Sequence, residues 1–232
     1  MQYTGCLRFV AALANILTCP DRENAMPTIQ IDTLFPQILD LLAVIRQNTL
    51  DVAWVVGSLW VIQLFNAASN YALCALGIVP RHPLGLPGIL FAPFIHAGFG
   101  HLFFNSVPLF LLLTGMLTYG LQQTVCATLT ITIVGGLGVW VCGRNAIHVG
   151  ASGLIMGYMG FILYNGYYAP TLSSWIVAVV SFYYLGSILF SIVPSSDGSS
   201  WEGHLFGFLA GVAAAYYGCM WPFALLTNQL LA

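Results

Sequence analysis

Long stretches without charge are the feature that most constrains this chain. No Arg, Lys, Asp or Glu lies between Arg81 and Arg144, and none lies between Arg144 and Asp197. The sequence has five arginines, seven acidic residues and no lysine, whereas soluble domains have roughly a quarter of their residues charged. A chain with so few charges cannot cover a surface that faces water on all sides. Most of its surface must therefore face lipid.

The apolar stretches are long enough to predict six membrane helices, since a helix needs about 20 mostly apolar residues to cross the hydrocarbon core. Proline follows the fourth, fifth and sixth stretches, as is common after helix ends. The predicted spans are residues 52–73, 99–118, 121–142, 150–168, 171–193 and 200–221. The expected fold is an all-α membrane protein, a bundle of six transmembrane helices.

The first 50 residues differ from the rest, because they hold three of the five arginines. Within them, PQILDLLAVIRQ has apolar residues at positions 38, 41, 42 and 45, a helical stripe typical of a helix lying on the membrane surface. A simple cytoplasmic extension is an equally good interpretation. We divide the chain into an N-terminal extension of cytoplasmic or interfacial helices (1–50), a six-helix domain (51–225) and a short C-terminal tail (226–232).

The connection between the first and second predicted helices is residues 80–100, PRHPLGLPGILFAPFIHAGFG. Its four prolines prevent a long helix, and it is too apolar for an ordinary solvated loop. Irregular backbone near a membrane is covered by protein or lies at the interface. We therefore predict a structured interfacial loop that lies against the outer leaflet.

Polar residues within the predicted helices gather on one side of the bundle. Consecutive spans alternate in direction, so the second, fourth and sixth spans begin at the same face. His101 and Asn105, Ser152 and His204 lie near these three starts and therefore share one leaflet. Polar and ionisable residues inside membrane helices are candidates for function.

An excess of arginine marks the cytoplasmic side of membrane proteins. Three arginines precede the first predicted span, whereas Arg81 and Arg144 lie in connections on the other face. This bias favours cytoplasmic N- and C-termini and a polar cluster that opens to the outer face. We expect an integral, multi-pass protein of a bacterial inner membrane, in contact with membrane lipid.

The clustered residues form a complete set for acyl transfer. A serine hydroxyl is a weak nucleophile that needs an adjacent base, and His204 supplies one for Ser152. The developing oxyanion needs hydrogen-bond donors, which His101, Asn105 and the Ser152 amide can provide. His101 and Asn105 are four residues apart, so they lie on one face of their helix.

Small residues recur every four positions on the fourth and sixth predicted spans. They are Gly153, Gly157, Gly203, Gly207, Gly211 and Ala215. Such spacing lets two helices approach closely in lipid. We therefore predict a close crossing of these spans, which brings the Ser152 hydroxyl within roughly 3 Å of a His204 nitrogen, the reach that a base requires.

The sequence offers no third catalytic residue. Glu202 lies two positions before His204 and points to roughly the opposite helix face, and SSWE predicts that it closes a capping box with Ser199 as N-cap. His148 is interpreted as a solvated loop residue. The H-E-x-x-H pattern of zinc proteases and the lysine of a Ser–Lys dyad are absent. We predict a Ser–His dyad without metal or other cofactor, and a net charge of −2 gives no case for nucleic acid binding.

Three motifs, in order along the chain, resemble those of the rhomboid family of intramembrane serine proteases. They are HAGFGHLFFN before and within the second span, GASG at the start of the fourth and GHLFGFLAG in the sixth. The proline-rich VPRHPLGLPGILFAPF is similar to the first loop of that family, and the resemblance covers about residues 52–222. It implies hydrolysis of peptide bonds within or beside the transmembrane segments of membrane-protein substrates.

The resemblance also implies a role for each matching residue. Ser152 would be the nucleophile and His204 the general base, with His101 and Asn105 in the oxyanion hole. The supporting residues would be His96, Gly150, Gly153 and Met156. Met156 stands where family members often have an aromatic residue stacked on the base histidine, so we expect a more loosely oriented imidazole. Substrates would enter laterally, with the fifth span and the loop before the sixth as gate and cap.

Two other functions fit part of the pattern. One is a catalytically silent rhomboid-like protein that binds or escorts membrane clients, but such relatives usually lack the serine or the histidine. The other is a small-molecule transporter, which predicts ionisable residues at the bilayer midplane and paired broken helices. The sequence has neither of these transporter features.

Overall fold

The computed structural model describes residue 6 and residues 31–168, 171–194 and 200–218, and this part of the chain is helical without any strand. Its six main helices are α1 (Ile31–Ala68), α2 (Phe99–Leu117), α3 (Leu121–Cys142), α4 (Ser152–Tyr168), α5 (Leu172–Ile192) and α6 (Trp201–Tyr217). A π-helical turn, Ile131–Gly135, interrupts α3, and α5 ends in the 3-10 turn Gly186–Ile192. The predicted C-terminal tail lies outside the described residues.

Four of these helices are long and apolar enough to cross a membrane: Leu34–Ala68, Phe99–Leu117, Leu121–Cys142 and Leu172–Ile192. Large apolar side chains point away from the bundle, as Trp54 on α1, Phe104 on α2 and Tyr183 on α5 do. Such exposed apolar surface suits a lipid environment. Helices α4 and α6 have 17 residues each, so the count of six spans stays a prediction.

The first helix begins at Ile31 rather than after Asp51, so the helix predicted over residues 36–47 is continuous with the first predicted span. Its place on the membrane surface stays a prediction. Both predicted elements belong to one helix of 38 residues, and the division at residue 50 falls inside it. The two predicted elements form a single helix because no residue between Pro36 and residue 50 breaks the helical backbone. Isolated charges such as Asp40 and Arg46 are compatible with helical backbone.

The connection between α1 and α2 folds into short helical turns, Ala72–Leu76 and Pro83–Phe94. It is held to the connection between α3 and α4 by a two-way backbone bridge, in which Ile78 and His148 exchange N–H···O bonds of 3.0 and 2.9 Å. The Arg81 guanidinium adds a 2.7 Å bond to the carbonyl of Gly143. The connection between α1 and α2 and the connection between α3 and α4 are therefore bonded to each other at one end of the bundle.

Helices α4 and α6 form the centre of the bundle and touch backbone to backbone. A β-carbon on Gly153 would lie 3.2 Å from the carbonyl oxygen of Gly203. A β-carbon on Gly207 would overlap the carbonyl oxygen of Gly153, and one on Gly211 would overlap that of Gly157. The close crossing predicted from the small-residue spacing is confirmed.

Candidate active site

Ser152 is the first residue of α4, and a tight turn leads into it. Gly150 has φ of +119°, a conformation that side chains with a β-carbon rarely adopt. Its amide donates a 2.9 Å bond to the carbonyl of Ala92, which ties the turn to the loop after α1. Ser152 lines a cavity of about 60 Å³, which it shares with His148 and Ser200.

The side chains of His101 and Asn105 face this turn from α2. A β-carbon on Gly150 would lie 2.7 Å from Nε2 of His101 and 3.5 Å from Nδ2 of Asn105. Both groups are thus beside the residue two positions before Ser152. Asn105 is buried, and its Nδ2 has no hydrogen-bond partner among the described residues. A buried unpaired donor is uncommon and requires an explanation.

His96 supports the turn from the loop before α2. It is fully buried, and its Nε2 accepts a 3.3 Å bond from the amide of Ala151. Burial, together with the smaller effect of the neighbouring His101, lowers the pKa of His96 to about 4, so the ring is neutral at pH 7. A neutral ring has the acceptor nitrogen that this bond requires. Its ring lies edge-on to that of His101, with centroids 5.1 Å apart.

Asn66, which none of the sequence motifs includes, holds His96 in place. Asn66 is fully buried on α1, donates a 3.0 Å bond to the carbonyl of His96, and accepts a 3.1 Å bond from the amide of Leu73. The available signal was an amide side chain within a predicted span, because polar residues there are candidates for function.

His204 lies in the first turn of α6, and its Nδ1 is 3.0 Å from the carbonyl oxygen of Ser191 at the end of α5. A carbonyl oxygen only accepts, so Nδ1 carries the proton in this bond. In the neutral imidazole, Nε2 is then the nitrogen without a proton. The carbonyl of Ser191 thus orients the ring in the tautomer that a general base at Nε2 needs.

The helix crossing brings the backbones next to Ser152 and His204 together, because each residue is the direct neighbour of a glycine in the contact between Gly153 and Gly203. The predicted approach of the Ser152 hydroxyl to a His204 nitrogen stays a prediction. Met156 is fully buried one turn along α4 from Ser152. Its contact with the imidazole of His204 stays a prediction.

The interpretations of His148 and Glu202 are wrong. His148 is buried rather than solvated, because its backbone pairs with Ile78 and its ring with Ser200. The N-cap of α6 is Ser200, whose hydroxyl accepts from the amide of Gly203, and Ser199 lies outside the described residues. Glu202 is 2% exposed and bonds to Arg144 rather than closing a capping box.

The chain is similar to a family model and to several known proteins. A family model described as "Rhomboid domain" matches residues 85–221. "Uncharacterized protein Rv1337" of Mycobacterium tuberculosis is 37% identical over 73% of this chain and 78% of that protein, and the same figures hold for "Uncharacterized protein Mb1372" of Mycobacterium bovis. "Putative rhomboid protease YdcA" of Bacillus subtilis is 30% identical over 53% of this chain and 62% of that protein. No solved structure matches the chain.

Proposed function

This chain belongs to the rhomboid family, and on that footing we propose that it is an intramembrane serine protease that cleaves peptide bonds in or next to transmembrane segments of other membrane proteins. The observation that carries the proposal is the surroundings of Ser152. The crossing at Gly153 and Gly203 sets the helix of His204 against it, while a buried, unpaired amide donor of Asn105 faces the turn before it.

In the proposed mechanism, Ser152 Oγ attacks the carbonyl carbon of the scissile bond, and its proton passes to Nε2 of His204. The C–O bond forms as the carbonyl π pair moves to the oxygen. When the tetrahedral intermediate collapses, the C–N bond breaks and His204 returns the proton to the leaving amine. Water then hydrolyses the acyl-enzyme by the same steps, with His204 again as base and then as acid.

The negative oxygen of each intermediate needs donors that are in place before the reaction. We assign this role to Asn105 Nδ2, His101 and the amide of Ser152. The bond that Asn105 Nδ2 lacks in the described structure would form with the oxyanion. His96, which bonds the amide of Ala151, and Gly150 would hold the turn in position.

Asn105→Ala is therefore expected to lower kcat by about 10²-fold, the usual cost of losing one oxyanion donor, with KM little changed. Asn165→Ala is the matched control, because Asn165 lies far along α4 and its side chain, within the described part of the chain, bonds only the carbonyl of Phe161. Cleavage kinetics in lipid vesicles check both variants. Wild-type kcat in Asn105→Ala would remove Asn105 from the oxyanion hole.

We also propose that all six helices cross the membrane, within a domain of residues 51–225 that follows an N-terminal extension of residues 1–50. At 1.5 Å per residue, α4 and α6 are each about 25 Å long, so the site at their N-terminal ends lies at a shallow depth. The proposed setting is a bacterial inner membrane, with cytoplasmic termini and a site open to the outer face. Substrates would enter beside α5 and the loop that follows it.

The function is tested with the purified full chain in lipid vesicles that also contain single-span membrane proteins. Cleavage would give two fragments whose new termini, read by mass spectrometry, lie in or next to the span. Intact single-span proteins across a varied panel would favour the second candidate, a silent client-binding protein. The presence of both Ser152 and His204 favours the protease.

A further inference from the structure

A buried polar network joins the connection before α4 to the start of α6. Its centre is Glu202, which is 2% exposed, although acidic residues are almost never so buried unless paired. Glu202 Oε1 accepts a 3.1 Å bond from the backbone amide of Arg144 and lies 3.8 Å from Nε of the same residue. A charged side chain of α6 thus holds the backbone of another segment.

The other half of the network is His148, and its hydrogen bonds have fixed directions. Nε2 is 3.2 Å from the carbonyl oxygen of Arg144, which only accepts, so Nε2 carries the proton. Nδ1 of the neutral ring then accepts from the Ser200 hydroxyl at 2.7 Å, and Ser200 Oγ itself accepts from the amide of Gly203. Arg144 is therefore held at its amide by Glu202 and at its carbonyl by His148.

Burial lowers the pKa of His148, which favours the neutral ring that these directions require. The Arg144 carbonyl and the Glu202 carboxylate oppose that shift by raising the pKa of His148, while the charges of Arg144 and Arg81 add to it. His148 thus has charged neighbours on α6, on its own connection between α3 and α4, and on the connection between α1 and α2.

Both ends of the network are close to the proposed dyad. His148 precedes Ser152 by four residues, in the segment that leads into the Gly150 turn. Ser200 caps α6, and its carbonyl accepts a 3.1 Å bond from the amide of His204, one helical turn later. The network therefore fixes the segment before the nucleophile relative to the first turn of the base helix.

Stability alone does not account for Glu202. Its second carboxylate oxygen, Oε2, is buried without a hydrogen-bond partner among the described residues, and burying an incompletely bonded charge costs folding free energy. The positive end of the α6 dipole and the Arg144 guanidinium offset part of that cost. Buried ionic groups are weak stabilisers, and their best attested use is to fix one arrangement of the parts that they join.

We propose that Glu202 is a positioning residue, which through Arg144 and the His148–Ser200 pair sets the distance between Ser152 and His204. Its catalytic consequence rests on the proposed function. Glu202 bonds Arg144 and is not one of the groups to which the proposed mechanism assigns a step, so its loss is expected to change the rate of the chemical step and to leave binding unchanged.

The test measures labelling of Ser152 by a fluorophosphonate probe, per folded molecule, as a function of probe concentration. Glu202→Ala is expected to lower the saturating rate by about 10- to 100-fold, as small misplacements of reacting groups do, with the half-saturating probe concentration unchanged. Glu202→Gln keeps an oxygen that accepts from the Arg144 amide and should recover most of the rate. If Glu202→Ala does not fold, Ser200→Ala is expected to show the same loss.

The matched control is Thr124→Val, which removes a buried 2.8 Å bond from Thr124 to the carbonyl of Met116 where α2 and α3 meet. It should destabilise the protein without changing the saturating rate per folded molecule. If Glu202→Ala behaves like Thr124→Val, Glu202 has no positioning role.

A second readout separates this proposal from the proposed function. The imidazole ¹⁵N signals of His204, assigned with His204→Gln, are expected to change from one tautomer in the wild type to exchange broadening in Glu202→Ala. If the wild type carries no label on Ser152, the proposed activity fails and these signals alone decide the positioning role. Identical His204 signals in wild type and Glu202→Ala would then overturn it.

Discussion

Ser152→Ala is expected to abolish cleavage of single-span membrane proteins while the protein remains folded. Removing the nucleophile from a serine hydrolase costs on the order of 10⁶ in kcat, because the acyl-enzyme route is lost entirely. The substitution deletes one oxygen at a partly exposed position that lines the cavity, so packing changes little. Cleavage kinetics and thermal unfolding in the same lipid vesicles measure the two effects.

Ser58→Ala is the control for this variant. Ser58 is an exposed serine on α1 whose hydroxyl, among the described residues, bonds only the carbonyl of Val55 in its own helix. Its loss should leave cleavage at the wild-type rate. Residual cleavage by Ser152→Ala above the level of empty vesicles would mean that another group performs the reaction.

Gly211→Ala is expected to destabilise the fold severely. The added β-carbon would overlap the carbonyl oxygen of Gly157 and lie 2.6 Å from its carbonyl carbon. Both are backbone atoms at the centre of the bundle, so no flexible side chain can move aside. Overpacking of this kind costs about 3 kcal/mol or more when the backbone must shift, and moving α4 away from α6 would also separate Ser152 from His204.

The same substitution at Gly57 is the matched control. No atom of the residues that the structure describes lies within 4 Å of a β-carbon placed on Gly57, which is in α1. Gly57→Ala should leave the unfolding temperature unchanged or raise it, because alanine favours helix by up to about 1 kcal/mol. Equal unfolding temperatures for Gly57→Ala and Gly211→Ala would contradict the close backbone contact between α4 and α6.

The sequence predicted the helix crossing because its cause is local and periodic. Small residues at every fourth position lie on one face of a helix. Two helices that each have such a face can pack closely against each other in lipid. The contacts of Gly207 and Gly211 with the backbone of α4 follow from that pattern. The start of α1 was missed for the opposite reason, since scattered charges suggested a boundary where the backbone needs none.

Contacts between residues that are far apart in the chain could not be predicted from the sequence pattern. Glu202 and Arg144 are 58 residues apart, and a capping box was the plausible local alternative. The sequence predicts a solvated His148 in a connection, whereas pairing with Ile78 and Ser200 buries it. The carbonyl of Ser191, which orients His204, has no signature in sequence because every residue has a carbonyl.

The sequence predicts a dyad without an acidic third member, and in the proposed mechanism another group takes the orienting role of that residue. In a triad, a carboxylate selects the tautomer of the base histidine. Here a backbone carbonyl at the end of α5 bonds Nδ1 of His204 at 3.0 Å and selects the same tautomer. A neutral acceptor suits an apolar setting, because it adds no buried charge.

The central claim is that His204 activates Ser152, and the most direct measurement is the rate at which a fluorophosphonate probe forms an adduct on Ser152, located by peptide mass spectrometry. We predict an adduct on Ser152 in the wild type and a rate lower by at least about 10²-fold in His204→Ala, the usual contribution of a general base. An equal rate in His204→Ala, or an adduct on another residue of the wild type, would contradict the claim.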